Sequence, residues 1–471
     1  MKHAYEHPRD TLNLASKFEI LSKRGQEIQF EEASFIELID YFELEESFEK
    51  ALEVNNLALS YYKFSPKLHT RKAKLLIENH QEELGIESLD RAEIFGQSFI
   101  ETDILRARAA WHTEDFSAAF DLLDDLKLNY FISAKEHSMI ALEEALVHEK
   151  LEEFDKMYLA LKSAIKYNPF NQHALQRLWF AVEIVKKHRE SIDIHMDVID
   201  ANPYSHQAWF NLGNAFYFDC QYEKALDAFE YAFIINEKFE PAYKEFAEVC
   251  FHLKQYNKAI DALEEALPFF QSDSDLHLKI GQAYEYQKNY SKAKVFLYRA
   301  LELDSKNDEV YYHLGECYAK ENEYSSAIHY YHQAIKIDDL REDYMVGLAI
   351  AYSHTGNYQK ALPLFQHATE IGPEVSNNWI EFAHFLLSID GLEEAMDAIE
   401  EAEENAYCSD ILYCKAALLF RMGDRVTALN HLGEALAENY ADQDIFFSFV
   451  PEMREDRDVK AILRYYKQAE V

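Results

Sequence analysis

Twelve glycines and nine prolines in 471 residues supply too few turn-formers for a strand-rich chain or for long irregular connections, so the sequence predicts a nearly all-α protein. Cysteine is sparse too. Cys220, Cys250, Cys317, Cys408 and Cys414 are odd in number and scattered, which fits the reduced thiols of a cytosol better than a disulfide framework. Cys408 and Cys414, six positions apart, lack a metal-ligand spacing. No stretch approaches the roughly 18 uninterrupted apolar residues of a membrane span. Met1 to Lys17 carries no apolar run of signal-peptide length, so a cytoplasmic location is expected. Positive charge is scarce, with 47 Lys and Arg against 85 Asp and Glu, a formal net charge of −38. Nucleic acid and anionic membrane surfaces bind clustered Lys and Arg, so neither is expected as a partner. The acidic surface either keeps a long exposed chain soluble or attracts basic partners.

Catalytic and cofactor motifs are missing as well. The chain has no glycine-rich phosphate loop, no paired-cysteine metal motif and no His-Glu-x-x-His. His329 and His332 could share a metal on one helix face, but no third ligand is in view. No catalytic residue, cofactor or metal is expected, and the protein reads as a non-enzyme. The glutamate pairs Glu264-Glu265 and Glu393-Glu394, and the acidic run from Asp390 to Asp410, read as solvated helix faces.

What is present is a repeat. Alanine stands at 225, 259, 293, 327, 361 and 395, and again at 232, 266, 300, 334, 368 and 402, two ladders with a step of 34. That is the step of a two-helix unit, which buries its apolar face only by stacking on neighbours. Hydrophobic residues make up 48% of the chain, with 32 Phe and 31 Tyr, ample material for a continuous core.

A unit begun at His206 carries Trp209, Leu212, Gly213 and Phe216 on its first helix, then Tyr222, Ala225, Phe229 and Ala232 on its second. This pattern resembles the tetratricopeptide repeat. Only the closing proline, due at Glu237, is missing, and Pro203 and Pro373 fill that place in other units. Advancing by 34 gives starts at His206, Glu240, Ser274, Asp308, Glu342 and Ser376, small residues at Gly213, Ala247, Gly281, Gly315, Ala349 and Ala383, and Tyr222, Tyr256, Tyr290, Tyr324 and Tyr358 after the inter-helix turn. Two helices cross closely only where neither presents a bulky side chain, which is the packing reason for the small residues.

Weaker units start near Glu32, Pro66, Ile100, Ser138 and Gln172, and another at Asp410. The step from Ile100 to Ser138 is four longer than the period, so a longer connection is expected around Lys127 to Lys135. Ser34 with Glu37 reads as a capping box, and Ser65-Pro66 as an N-cap followed by a first-turn proline. Thr11 to Arg24 reads as a capping helix stopped by Gly25, and 444–451 and 458–468 as terminal helices. The expected organisation is residues 1–31 as leader and capping helix, 32–205 as degenerate units, 206–442 as regular units and 443–471 as C-terminal caps. The resemblance implies a right-handed α-solenoid superhelix of about twelve helix pairs, with the first helix of each pair lining a concave groove.

Positions 2, 5, 6 and 9 of each first helix share the predicted groove side. They place Lys67, Arg71 and Lys74, then Arg108 and Arg177, in a basic stripe, followed by Phe180, Phe210, Asn211 and Asn214, with Tyr217 on the same face. These are the candidate peptide-binding residues, Asn for an extended backbone and the aromatics for its side chains. Farther along the face turns acidic, with Glu245, Glu248, Asp275, Glu316 and Glu381. The carboxylate clamp of chaperone-binding family members is not reproduced: Phe210 replaces its first Lys, Glu245 its second Asn, and only Asn214 and the Lys67–Arg71 pair match.

The resemblance implies a non-enzymatic scaffold that binds protein or peptide segments in the groove. The alternative is a regulatory receptor whose superhelix changes pitch when a peptide or small ligand binds. The identity of the partners and the oligomeric state are open at this point.

Overall fold

The computed structural model describes residues 9–24, 28–45, 47–96, 100–128 and 132–469, and among them there is helix and no strand. Twelve antiparallel helix pairs run from Glu32–Leu44 with Phe48–Tyr61 to Ser409–Met422 with Arg425–Glu438. Arg9–Lys23 precedes them, and Asp444–Phe449 and Arg457–Ala469 follow. The protein is an all-α solenoid of repeated pairs. It divides into two compact units, Met1–Val249 and Cys250–Val471.

Helices begin at His206, Glu240, Ser274, Asp308, Glu342 and Ser376, and their partners at Tyr222, Tyr256, Tyr290, Tyr324, Tyr358 and Leu392. Every alanine of both ladders from Ala225 to Ala402 is fully buried. The small residues earn their place by close approach. A Cβ added at Gly213 would sit 2.7 Å from the Phe229 ring, and one at Gly315 equally close to Tyr331. Burying such a ring stabilises by about 1.5–3 kcal/mol, so the pair gains more from ring packing than from a side chain at the glycine.

The inter-helix turns give a second ruler. From the second pair on, one residue in each turn adopts a left-handed φ, at His80, Glu114, Glu152, Lys186, Cys220, Lys254, Lys288, Asn322, Gly356, Asp390 and Gly423. Their spacing is 34 throughout except for a step of 38 to Glu152 and one of 33 to Gly423. The longer connection expected around Lys127 to Lys135 accounts for only part of that step. The four extra residues are spread out: Phe116–Lys127 is two residues shorter than the regular second helix, the connection is two longer, and Ala134–Lys150 starts four residues ahead of Ser138. Residues 129–131 lie outside the described part. Ser133 caps this longer helix, its Oγ accepting from the Glu136 amide at 3.3 Å while Glu136 Oε2 accepts from the Ser133 amide at 2.7 Å.

Ser65 caps Pro66–Glu78, its Oγ accepting from the Leu68 amide at 3.2 Å. The Ser34–Glu37 box is not formed. The cap position of helix Glu32–Leu44 falls three residues earlier, at Glu31, with no side-chain cap bond. Arg9–Lys23 buries Ala15 and Phe18 against Phe35, Leu38, Ile39 and Phe42, closing the first core. Gly25, the expected stop, lies outside the described residues. At the other end Phe446, Phe449, Val450 and Val459 complete a core that reaches back to Ala327, and the Arg421 guanidinium donates to the Phe449 carbonyl at 2.6 and 3.0 Å.

Candidate functional site

First helices of consecutive pairs in the Met1–Val249 unit border one cavity of about 980 Å³. Arg71, Lys74, Arg108 and Arg177 of the basic stripe meet there. The walls are contributed at positions 6, 9 and 13 of the helix that begins at Pro66 and at positions 2, 5, 6, 9, 12 and 13 of the one that begins at Ile100, a wider arc of the same face than the spacing argument selected. Leu44, Phe48, Ile104, Leu105, Trp111, Met139, Leu142, Leu146 and Phe170 supply an apolar lining. Five cations, Arg71, Lys74, Arg108, Lys135 and Arg177, face five carboxylates, Asp40, Glu43, Glu78, Glu101 and Glu143. On a chain of net charge −38 this is a locally balanced surface.

Four of the cations are bound to acids of neighbouring pairs. Arg71 reaches Asp40 at 3.0 Å, and Lys74 reaches Glu43 at 2.8 Å. Arg177 pairs with Glu149. Arg108 bridges Glu78 at 3.2 Å and Glu143, whose Oε2 also accepts from the Trp111 indole at 3.3 Å. The Glu143 side chain is only 2% exposed. Burial pushes Asp40 and Glu78 above the usual carboxylate range, partly offset by Arg71 for the first and by Lys74 and Arg108 for the second. Burial opposes the charge of Arg108, yet Glu143 holds it above the ordinary guanidinium value.

The other candidates lie elsewhere. Lys67 is exposed beside Glu32, Ile36, Tyr61, Tyr62 and Phe64 in a separate depression of about 820 Å³. Phe180 is exposed and edge-on to Phe154, with ring centroids 6.4 Å apart. Phe210 packs on Phe229 and Phe239. Asn211 is fully buried, its amide donating to the Leu175 carbonyl at 2.8 Å and its Oδ1 accepting from Gln207 at 2.9 Å. Asn214 donates to the Phe210 carbonyl one turn back at 3.1 Å. Tyr217 is half-buried against Phe218 and Tyr222.

In the Cys250–Val471 unit, Glu316 and Glu381 are carboxylates raised by burial, and Glu316 accepts from the Tyr331 hydroxyl at 2.5 Å. His332 bonds Tyr352 at 2.8 Å, and His329 lies edge-on to Tyr330. Sequence reasoning missed Glu143, Trp111 and the apolar lining. Their signal was the same helical frame, but an apolar residue at a groove position reads as core until the neighbouring pair is placed.

Residues 274–307 and 309–339 each match a family model described as the tetratricopeptide repeat. No curated protein matches the chain. Among solved structures, the chain is similar to YrrB, described as a TPR protein with an unusual peptide-binding site. The identity is 23%, over 39% of this chain and 95% of that one, with a TM-score of 0.32. The Cut9–Hcn1 hetero-tetramer of the APC/C aligns at 14% identity over 91% and 94% of the two chains, TM-score 0.43. Yeast Tom70 aligns at 14% over 90% and 99%, TM-score 0.42.

Proposed function

We propose that the chain, two stretches of which match the tetratricopeptide repeat, is a non-enzymatic scaffold holding a polypeptide segment in the cavity of its first unit. One observation carries the reading: first helices of successive pairs converge on an open cavity of about 980 Å³ that is apolar in its walls and balanced in charge. Pockets of this size with an apolar lining and a few placed polar groups suit side-chain anchors. The balanced charge suits a segment that mixes apolar anchors with both signs of charge.

The paired cations sharpen the recognition chemistry. Arg71, Lys74, Arg108 and Arg177 already hold carboxylates, so a ligand acid competes with Asp40, Glu43, Glu143 or Glu149. Affinity then comes mainly from Leu142, Leu146, Met139 and Trp111, with the ion pairs acting as a selective rim. Capture from native lysate by the full chain tests this at low and high salt. Leu142→Arg is expected to abolish capture with helicity unchanged and at most a local loss of stability, since Leu142 is partly buried against the core of its pair. Undiminished capture by that variant would refute the cavity as the binding surface.

A further inference from the structure

Where one helix pair meets the next, the second helix's first residue lies against the last residue of the following first helix, 30 positions on. At two of the regular junctions this contact is an aromatic stack: Tyr256 on Tyr286 with centroids 5.4 Å apart, and Tyr324 on His354 at 4.5 Å. Between the second and third pairs the same two positions hold Glu82 and His112. His112 Nδ1 stands 3.2 Å from Glu82 Oε1. A third group joins them from the turn, where the left-handed residue is His80, the one imidazole among the residues that occupy this turn position. Its Nδ1 lies 3.7 Å from the same carboxylate oxygen.

We propose that His80, Glu82 and His112 bind one divalent transition-metal ion of the zinc class, coupling the second helix pair to the third. One donor atom from each lies within 4.8 Å of the others. Ligands about 2.0–2.1 Å from a tetrahedral zinc stand roughly 3.3 Å apart, close to the two measured edges. The third edge closes by rotation of His80, whose side chain is 83% exposed and meets no packing resistance.

A hydrogen bond between His112 and Glu82 explains one contact but not the approach of a second imidazole through the same kind of nitrogen to the same oxygen. Trp111 lies edge-on to His112 with centroids 4.2 Å apart, and the two imidazoles are 5.5 Å apart. Two imidazoles and a carboxylate leave one position of a tetrahedral ion for water or a ligand. Mixed nitrogen and oxygen donors favour zinc, copper and nickel over magnesium and calcium. His112 and Trp111 also line the large cavity, so the open position adjoins the proposed peptide groove. The metal site stands independently of that groove's function.

The test is titration of the chelator-treated full chain with zinc chloride by calorimetry, in excess magnesium to occupy the acidic surface. Wild type is expected to bind one zinc, and His80→Ala to weaken it by about 10–100-fold, at least the loss that follows removal of an outer-shell partner. Because His80 is exposed, that variant keeps its fold with at most a small loss from alanine at the left-handed φ, which a magnesium-only melt measures. Cobalt substitution should give the visible absorption of a four-coordinate site in wild type and lose it in His112→Gln. Equal zinc binding by wild type and His80→Ala, or binding removed by His329→Ala instead, would overturn the assignment.

Discussion

The Arg108 guanidinium and the Glu143 carboxylate, 35 positions apart in the chain, face each other between the third and fourth helix pairs, with Arg108 Nε 3.1 and 3.3 Å from the two carboxylate oxygens. Trp111 donates to the same carboxylate, and Glu78 shares the guanidinium. Removing one partner of a buried pair leaves an uncompensated charge. Arg108→Ala is therefore expected to cost about 3–5 kcal/mol, concentrated in Ile100–His112 and Ala134–Lys150. Replacing both, as Arg108→Met with Glu143→Leu, should recover most of that loss. Hydrogen exchange of the two helices in urea is the readout, because a solenoid opens locally. A full-cost double variant would mean that packing, not charge, dominates.

Two helical glycines give opposite outcomes on the same substitution. Gly315→Ala drives a Cβ to 2.7 Å from the Tyr331 ring and should destabilise by about 1–3 kcal/mol. Gly433→Ala meets nothing closer than 3.4 Å, the Tyr466 hydroxyl, and should stabilise by about 0.5–1 kcal/mol through helix propensity. Thermal melts of the two variants check both signs.

Two histidines make stability respond to pH in opposite directions. Burial pushes His195 down to about 3, and neither of its ring nitrogens has a hydrogen-bond partner. The unfolded chain takes up that proton near pH 6.5 while the folded chain refuses it, so stability falls as pH drops from about 6.5 toward 3. Burial also lowers His313, but the charge and hydrogen bond of Glu285 at 2.8 Å outweigh it and raise the imidazole above its ordinary value. That contribution is full below about pH 6.5 and is lost as pH rises through the raised value. His195→Leu should flatten the acid limb of a melting profile, and His313→Gln the neutral-to-alkaline one.

The frame was legible because close helix crossings admit only small residues, and those recur at Ala225, Ala232 and Gly213 with a fixed period. The cavity was half legible. Helical spacing placed Arg71, Lys74, Arg108 and Arg177 on one face, yet their partners Asp40, Glu43, Glu143 and Glu149 lie 28 to 35 residues away, and only stacking joins them. Asn211 shows the converse. Its position is on the groove side, but its amide reaches the Leu175 carbonyl of the preceding pair and is consumed there. His80, Glu82 and His112 escaped notice because their spacing matches no local metal motif.

The central claim is that the concave cavity of the first unit is where a polypeptide docks. Site-specific photocrosslinking reports it most directly, with a photoreactive residue at Leu142 inside the cavity and, in a second protein, at Ile94, which is 77% exposed and outside it. Exposed to native lysate, the Leu142 probe is expected to form a discrete adduct that Arg177→Glu weakens, and the Ile94 probe none. Adducts at Ile94 with none at Leu142 would contradict the account.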